Sequence, residues 1–176
     1  MNWKTLSQKY LFQSPWLSVR QDKIALPNGD IVDDYIVTER KSVALIAMLN
    51  ADNELLIKKE YRYPLDIALW ELPGGTFNEN ENPLNCAKRE LLEETGFVSN
   101  DWSLLGSFYE YPTKDNYQVN LFLAKNAFQL KEKEDNPMEV IDYQFITVEK
   151  AKQMVLQNEI KVSGSALAIM LLNNVS

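Results

Sequence analysis

Apolar residues recur along this chain with two different periods. From residue 16 to 47 the apolar runs are short and β-like: 16–20, then 23–26, a turn built on Pro27, Asn28, Gly29 and Asp30, and a further run at 31–38. That pattern predicts an antiparallel meander. The strongly apolar run 43–49 meets the polar stretch 50–53 and then 55–59, which predicts a hairpin and the start of the core sheet. Helical spacing follows Pro83, where Leu84, Ala87 and Leu91 fall at i, i+3 and i+7. Asn82 can cap that helix, Pro83 suits its first position, and Gly96 is placed to end it after Thr95. Beyond it, 102–110 and 119–124 read as strands around a polar loop at 112–117, and 140–146 as another. Thr147 caps a helix through about residue 157, and 165–173 makes a last one. Strands come first, then strands mixed with helices, without repeats or an obvious linker. The expected fold is α/β, a layered domain with a mixed sheet over 41–176 and a small N-terminal antiparallel β extension over 1–40.

Composition narrows the chemistry. The 176 residues suffice to bury a real core, and the formal charge of −7 with pI about 4.7 offers no general basic field for nucleic acid. No apolar stretch reaches the roughly 18 residues of a membrane helix, and the segment after Met1 lacks a signal core, so a cytoplasmic location is expected. The single cysteine, Cys86, lies in the helical stretch, where a buried apolar role competes with reactivity. There is no histidine, which removes imidazole as metal ligand, base or triad member. Catalysis falls to carboxylates, Lys, Tyr or Ser/Thr, and carboxylates without imidazole favour hard cations such as Mg²⁺ or Mn²⁺.

On the 82–95 helix, Glu90, Glu93 and Glu94 stand at i, i+3 and i+4, sharing one arc near the end where the helix dipole disfavours anions. Taken alone, such an arc is equally a solvated acidic face. Before the helix come Glu71, Leu72, Pro73, Gly74 and Gly75, whose glycines let backbone approach a ligand closely. Taken together, the segment runs Gly75, five residues, Glu81, seven residues, then Arg89-Glu90-Leu91-Leu92-Glu93-Glu94-Thr95-Gly96-Phe97. It resembles the signature of the Nudix hydrolases at every fixed position.

The resemblance implies a Nudix-type α/β/α sandwich whose loop–helix–loop binds divalent cations on a diphosphate. By position it assigns Glu90, Glu94 and the carbonyl of Gly74 to Mg²⁺ or Mn²⁺, with Glu93 adding a further or water-mediated contact. Arg89 would orient Glu93, Glu81 would support the site, and Leu91 and Phe97 are packing residues. Upstream, Glu60-Tyr61-Arg62-Tyr63-Pro64 and Trp70 to Gly75 resemble ADP-ribose pyrophosphatases and nucleoside-diphosphate-sugar hydrolases of this superfamily. Arg62 is then a candidate for the substrate diphosphate, or else a surface arginine on a strand; Glu71 is a helper of the metal site, or else an edge carboxylate. Pro112 stands where the ADP-ribose subgroup carries a substrate-side proline, although the local sequence Glu110-Tyr111-Pro112-Thr113-Lys114 departs from that subgroup and also suits an ordinary loop. The run 131–135 resembles the acidic loop that supplies the glutamate acting on water, with Glu134 preferred and Glu132 and Glu139 behind it. Tyr61, Tyr63, Trp70, Tyr109, Tyr111 and Tyr117 are available for stacking or for the core.

These expectations amount to a metal-dependent hydrolase of a small nucleotide-sugar substrate, ADP-ribose first, with GDP-mannose, ADP-glucose or a dinucleoside polyphosphate as alternatives. A non-catalytic nucleotide-sugar sensor is the reading from another class. In the resembling enzymes an N-terminal β extension is exchanged between subunits, which implies a homodimer here.

Overall fold

Among the strands that sequence patterning missed is the first: residues Lys4–Gln13 form β1, although every side chain along it is exposed. With no buried face, a strand carries no apolar alternation to read. A computed structural model describes residues 2–132 and 142–172 of the chain. They divide into two compact units, the first running up to Ser42 and including Phe108–Gln118, the second comprising Val43–Ser107 and the chain from Val119 on.

In the first unit β1 pairs antiparallel with β2 (Leu17–Ala25), and β2 with β3 (Ile31–Arg40). The runs expected at 16–20 and 23–26 are thus one continuous strand. Ser14 turns the chain between β1 and β2: its hydroxyl oxygen accepts from the amides of Trp16 at 3.2 Å and Leu17 at 3.0 Å. The expected 27–30 turn joins β2 to β3, with Gly29 at φ +93°, a left-handed conformation that suits glycine. The 108–118 segment is tied to β3 at several points. Tyr35 donates to the Thr113 carbonyl at 2.6 Å, the Thr38 amide to that of Lys114 at 2.7 Å, and Arg40 to Asp115 at 2.7 Å.

The second unit is built on a mixed sheet. Its elements are β4 (Val43–Asn50), β5 (Glu54–Arg62), β6 (Ile67–Glu71), β7 (Gly74–Thr76), β8 (Phe97–Val98), β9 (Asp101–Tyr109), β10 (Gln118–Gln129) and β11 (Asp142–Thr147). Among the described residues the strand order is β11-β5-β4-β10-β8, with β6 on β5, β7 on β4 and β9 on β10; β4 and β10 run parallel. The expected hairpin at 43–59 is β4–β5, closed by Asn50, whose side-chain oxygen accepts from the amides of Asp52 and Glu54.

Strand alternation distributes two helical layers over the sheet. Ala44, Ile46 and Met48 of β4, with Leu56, Phe122 and Ala124, meet Cys86, Ala87 and Leu91 of α1 (Pro83–Thr95) in the core. The opposite parity faces the other way: Leu45 and Val119 pack on Gly164 of α3 (Ser163–Leu171), beside α2 (Val148–Leu156). This is the α/β/α layering the sequence implied. The cap of α1 also follows expectation. The Asn82 side chain accepts from the Asn85 amide at 2.8 Å, Pro83 opens the helix, and Gly96 at φ +76° closes it with its N–H on the Leu92 carbonyl. α2 begins after a Thr147 cap as expected, whereas α3 starts at Ser163, two residues earlier than the apolar pattern indicated. Among the described residues no helix is long and apolar enough to cross a membrane.

Candidate active site

Three elements bring the chemistry of the second unit together: β5, the β6–β7 connection and the last turns of α1. Since Leu56 of β5 faces α1, the positions of the same parity, Lys58, Glu60 and Arg62, follow it along that face. Lys58 is buried, its side chain 1% exposed, and its ammonium lies 2.5 Å from Glu94, 2.8 Å from Glu60 and 3.6 Å from Glu71. Glu71 sits opposite Lys58 in the β5–β6 register. Arg62, half-exposed, reaches back to pair with Glu60 at 2.8 Å and with Glu71.

The glycines explain how α1 comes so near. A Cβ on Gly74 would meet the Ala44 carbonyl and the Leu45 backbone, and one on Gly75 would meet the Glu90 carboxylate. Free of that obstruction, β7 lies against β4 with Gly74 opposite Leu45, and the Gly74 amide donates to Glu94 at 2.9 Å. This contact is made by the Gly74 amide, whereas the resemblance assigns the Gly74 carbonyl to the metal.

A second cluster is centred on Arg89. Its guanidinium donates to Glu81 twice at 2.9 Å, to Glu90 at 2.7 Å, to Glu93 at 3.0 Å and to the Thr76 carbonyl at 3.0 Å. A planar fork with five donors suits this better than a lysine would. Glu81 also accepts from the Asn78 amide, which pins the loop before α1.

Electrostatics follow from this arrangement. Hydrogen bonding to Arg89 lowers the Glu81 carboxyl to about 2. Burial raises Glu94 to about 7 and Glu71 to about 7, in spite of the cations beside them. Burial pulls Lys58 down, but Glu94 and Glu60 outweigh it and hold its pKa above the ordinary lysine value. Six carboxylates, Glu60, Glu71, Glu81, Glu90, Glu93 and Glu94, thus surround three cations, Lys58, Arg62 and Arg89. The surplus is negative and entirely oxygen-based, the donor chemistry of a hard divalent cation. Among the described residues no three acidic or thiol side chains already form a cage for an ion. Glu94 turns to Lys58, while Glu90 and Glu93 turn to Arg89.

Of the residues singled out by sequence, Arg62, Gly74, Arg89, Glu90, Glu93 and Glu94 are brought together in the second unit, with Glu71 and Glu81 beside them. Leu91 is buried and Phe97 packs on the core, as expected. Pro112 lies in the first unit, inside a turn closed by the Lys114 and Asp115 amides on the Tyr111 carbonyl. Glu134 and Glu139 lie outside the described residues, and Glu132 is exposed. Lys58 and Glu60 escaped sequence analysis. Their signal was the alternation of charge at 58, 60 and 62 along a strand whose preceding residues of that parity are core.

Cys86 takes the buried role. Its thiol lies 3.6 Å from the Gly75 carbonyl, and burial pushes it up to about 12. Thiol labelling at pH 8 is therefore expected to be at least about a hundredfold slower in the folded than in the denatured protein. Equal rates would place the thiol at the surface instead.

Comparison with known proteins agrees with this geometry. Residues 38–163 match the NUDIX domain, and residues 3–37 match the nucleoside diphosphate sugar hydrolase N-terminal domain. The chain is 30% identical to an ADP-ribose pyrophosphatase of Bacillus subtilis (strain 168), across 94% of this chain and 90% of that protein. It is equally similar, 30% over the same shares, to a methanol dehydrogenase activator of Bacillus methanolicus. A crystal structure of an ADP compounds hydrolase has the same fold, with a TM-score of 0.82 at 18% identity, covering 98% of this chain and 92% of that one. With its signature segment folded around Arg89 and Glu94, and most of its length matched, this chain belongs to the Nudix hydrolase family.

Proposed function

We propose that the protein hydrolyses the diphosphate bridge of a nucleoside diphosphate sugar, ADP-ribose first, releasing AMP and ribose 5-phosphate. The observation that carries the reading is the negative surplus gathered by the signature segment, in a chain similar along nearly its whole length to an ADP-ribose pyrophosphatase. Glu90, Glu94 and the Gly74 carbonyl hold Mg²⁺ or Mn²⁺, with Glu93 as a further contact. When bound, the ion neutralises the diphosphate and lowers the pKa of water. Arg89 keeps Glu90 and Glu93 oriented, as its hydrogen bonds to both support. Arg62, half-exposed beside Glu71, grips phosphate oxygens. Glu134 takes the proton from water.

On this reading residues 41–176 are the hydrolase domain and residues 1–40 a dimerisation element of a cytoplasmic homodimer. Leu11 and Phe12 of β1 and Trp16 in the turn that follows it, all exposed, support an interface there. The net charge of −7 supports a small substrate over a nucleic acid.

The test is incubation with Mg²⁺ or Mn²⁺ and ADP-ribose, ADP-glucose, GDP-mannose or a dinucleoside polyphosphate, reading phosphate released by added phosphatase. Selective turnover of ADP-ribose is expected. Turnover of another compound alone would reassign the substrate, and turnover of none would favour a nucleotide-sugar sensor.

A further inference from the structure

Lys58 is not used by the reading above, yet it holds the most enclosed charge in the site. Its ammonium, 1% exposed, is 2.5 Å from one oxygen of Glu94 and 2.8 Å from Glu60, with Glu71 at 3.6 Å. An ammonium enclosed in this way is held by neighbouring carboxylates, since burial alone would strip its charge. Glu94 is the carboxylate shared between Lys58 and the Gly74 amide, one oxygen to each. We propose that Lys58 is an internal counter-cation that competes with the divalent ion for Glu94 and so sets the threshold at which the protein takes up metal. In the metal-free protein it keeps Glu94, Glu60 and Glu71 from repelling one another. Once an ion binds Glu94, the ammonium stands as a like charge beside it and is retained by Glu60 and Glu71. Those two carboxylates are arranged for that: Glu71 faces Lys58 across β5–β6, and Glu60 is two residues along the same strand face. Lys58 is therefore a positioning residue that acts through Glu94, and the inference rests on Glu94 being a metal ligand.

Mn²⁺ titration of the substrate-free protein, followed by electron paramagnetic resonance of the free ion, tests it without recourse to activity. Lys58→Met is expected to bind Mn²⁺ about tenfold more tightly than the wild type, because removing a like charge this near an ion relieves repulsion even at high dielectric. A purely structural lysine predicts the reverse, since loss of its support would loosen Glu94 and weaken binding. Should Lys58→Met not fold, Lys58→Gln removes the same positive charge while keeping a polar head for Glu60 and Glu71, and the same gain is expected. Unchanged or weaker binding in the folded variant overturns the proposal. Glu94→Gln separates the two readings: if it abolishes Mn²⁺ binding while the Lys58 variants gain nothing, only the role of Lys58 falls. If it binds as the wild type does, the ligand assignment of Glu94 falls, and this proposal with it.

Discussion

Glu94→Gln is expected to lower turnover of the preferred nucleotide sugar by a factor of about a thousand or more, the scale of removing several kcal/mol of charge stabilisation. The substitution is nearly isosteric and keeps an oxygen for the Gly74 amide, so what disappears is the negative charge. The fold should tolerate it. Lys58 retains Glu60 at 2.8 Å and Glu71 at 3.6 Å, so no orphaned ammonium is created in the interior. The stability cost is accordingly about 1–2 kcal/mol, below that of breaking an isolated buried pair. For a chain of this size that is a fall in Tm of a few degrees. Thermal melts and steady-state kinetics on the same preparation check both halves. A folded variant with undiminished turnover would sink the assignment of Glu94 to the metal, whatever the substrate proved to be.

Much of this site was legible because its residues are local. Glu81, Arg89, Glu90, Glu93 and Glu94 occupy one loop and one helix, where spacing translates into position through the helical repeat, and the caps at Asn82 and Gly96 set the helix in register. The core positions of β4 and α1 were readable for the same reason, as apolar residues at the period of their element. What could not be read was which partner each carboxylate chooses. Glu94 turns toward Lys58, 36 residues earlier in the chain, and that pairing exists only because β5 lies beneath the last turns of α1. Spacing along the helix suggested three converging carboxylates, whereas two separate cations draw them apart. The strands β6 and β7 were hidden for a related reason. They span 67–71 and 74–76, and 74–76 reads as a glycine turn until β4 supplies its partner. β1 offered no buried face to betray it.

The adjacent glycines should fail in different ways when a methyl group is added. At Gly74 the new Cβ would meet the Ala44 carbonyl and the Leu45 backbone, both in the central strand β4, where relief requires moving the sheet. Gly74→Ala is therefore expected to cost about 3 kcal/mol or more, at the upper end of overpacking in a rigid core. That corresponds to a drop in Tm of roughly 10 °C for a chain of this size. At Gly75 the atoms nearest the Cβ all belong to the carboxylate of Glu90, the far end of a side chain that can swing aside. Gly75→Ala should melt within about 1 kcal/mol of the wild type, because no backbone must shift. Its damage is to the site: displacing Glu90 breaks the orientation that Arg89 imposes at 2.7 Å, and turnover is expected to fall at least a hundredfold. Melting curves and turnover of the two variants, side by side, separate the role of this turn in the sheet from its role in holding the carboxylate. If Gly75→Ala keeps full turnover, the position of Glu90 is immaterial to the reaction and its assignment as a metal ligand fails. If Gly74→Ala melts with the wild type, β7 does not need its close approach to β4, and the steric account of the paired glycines is wrong.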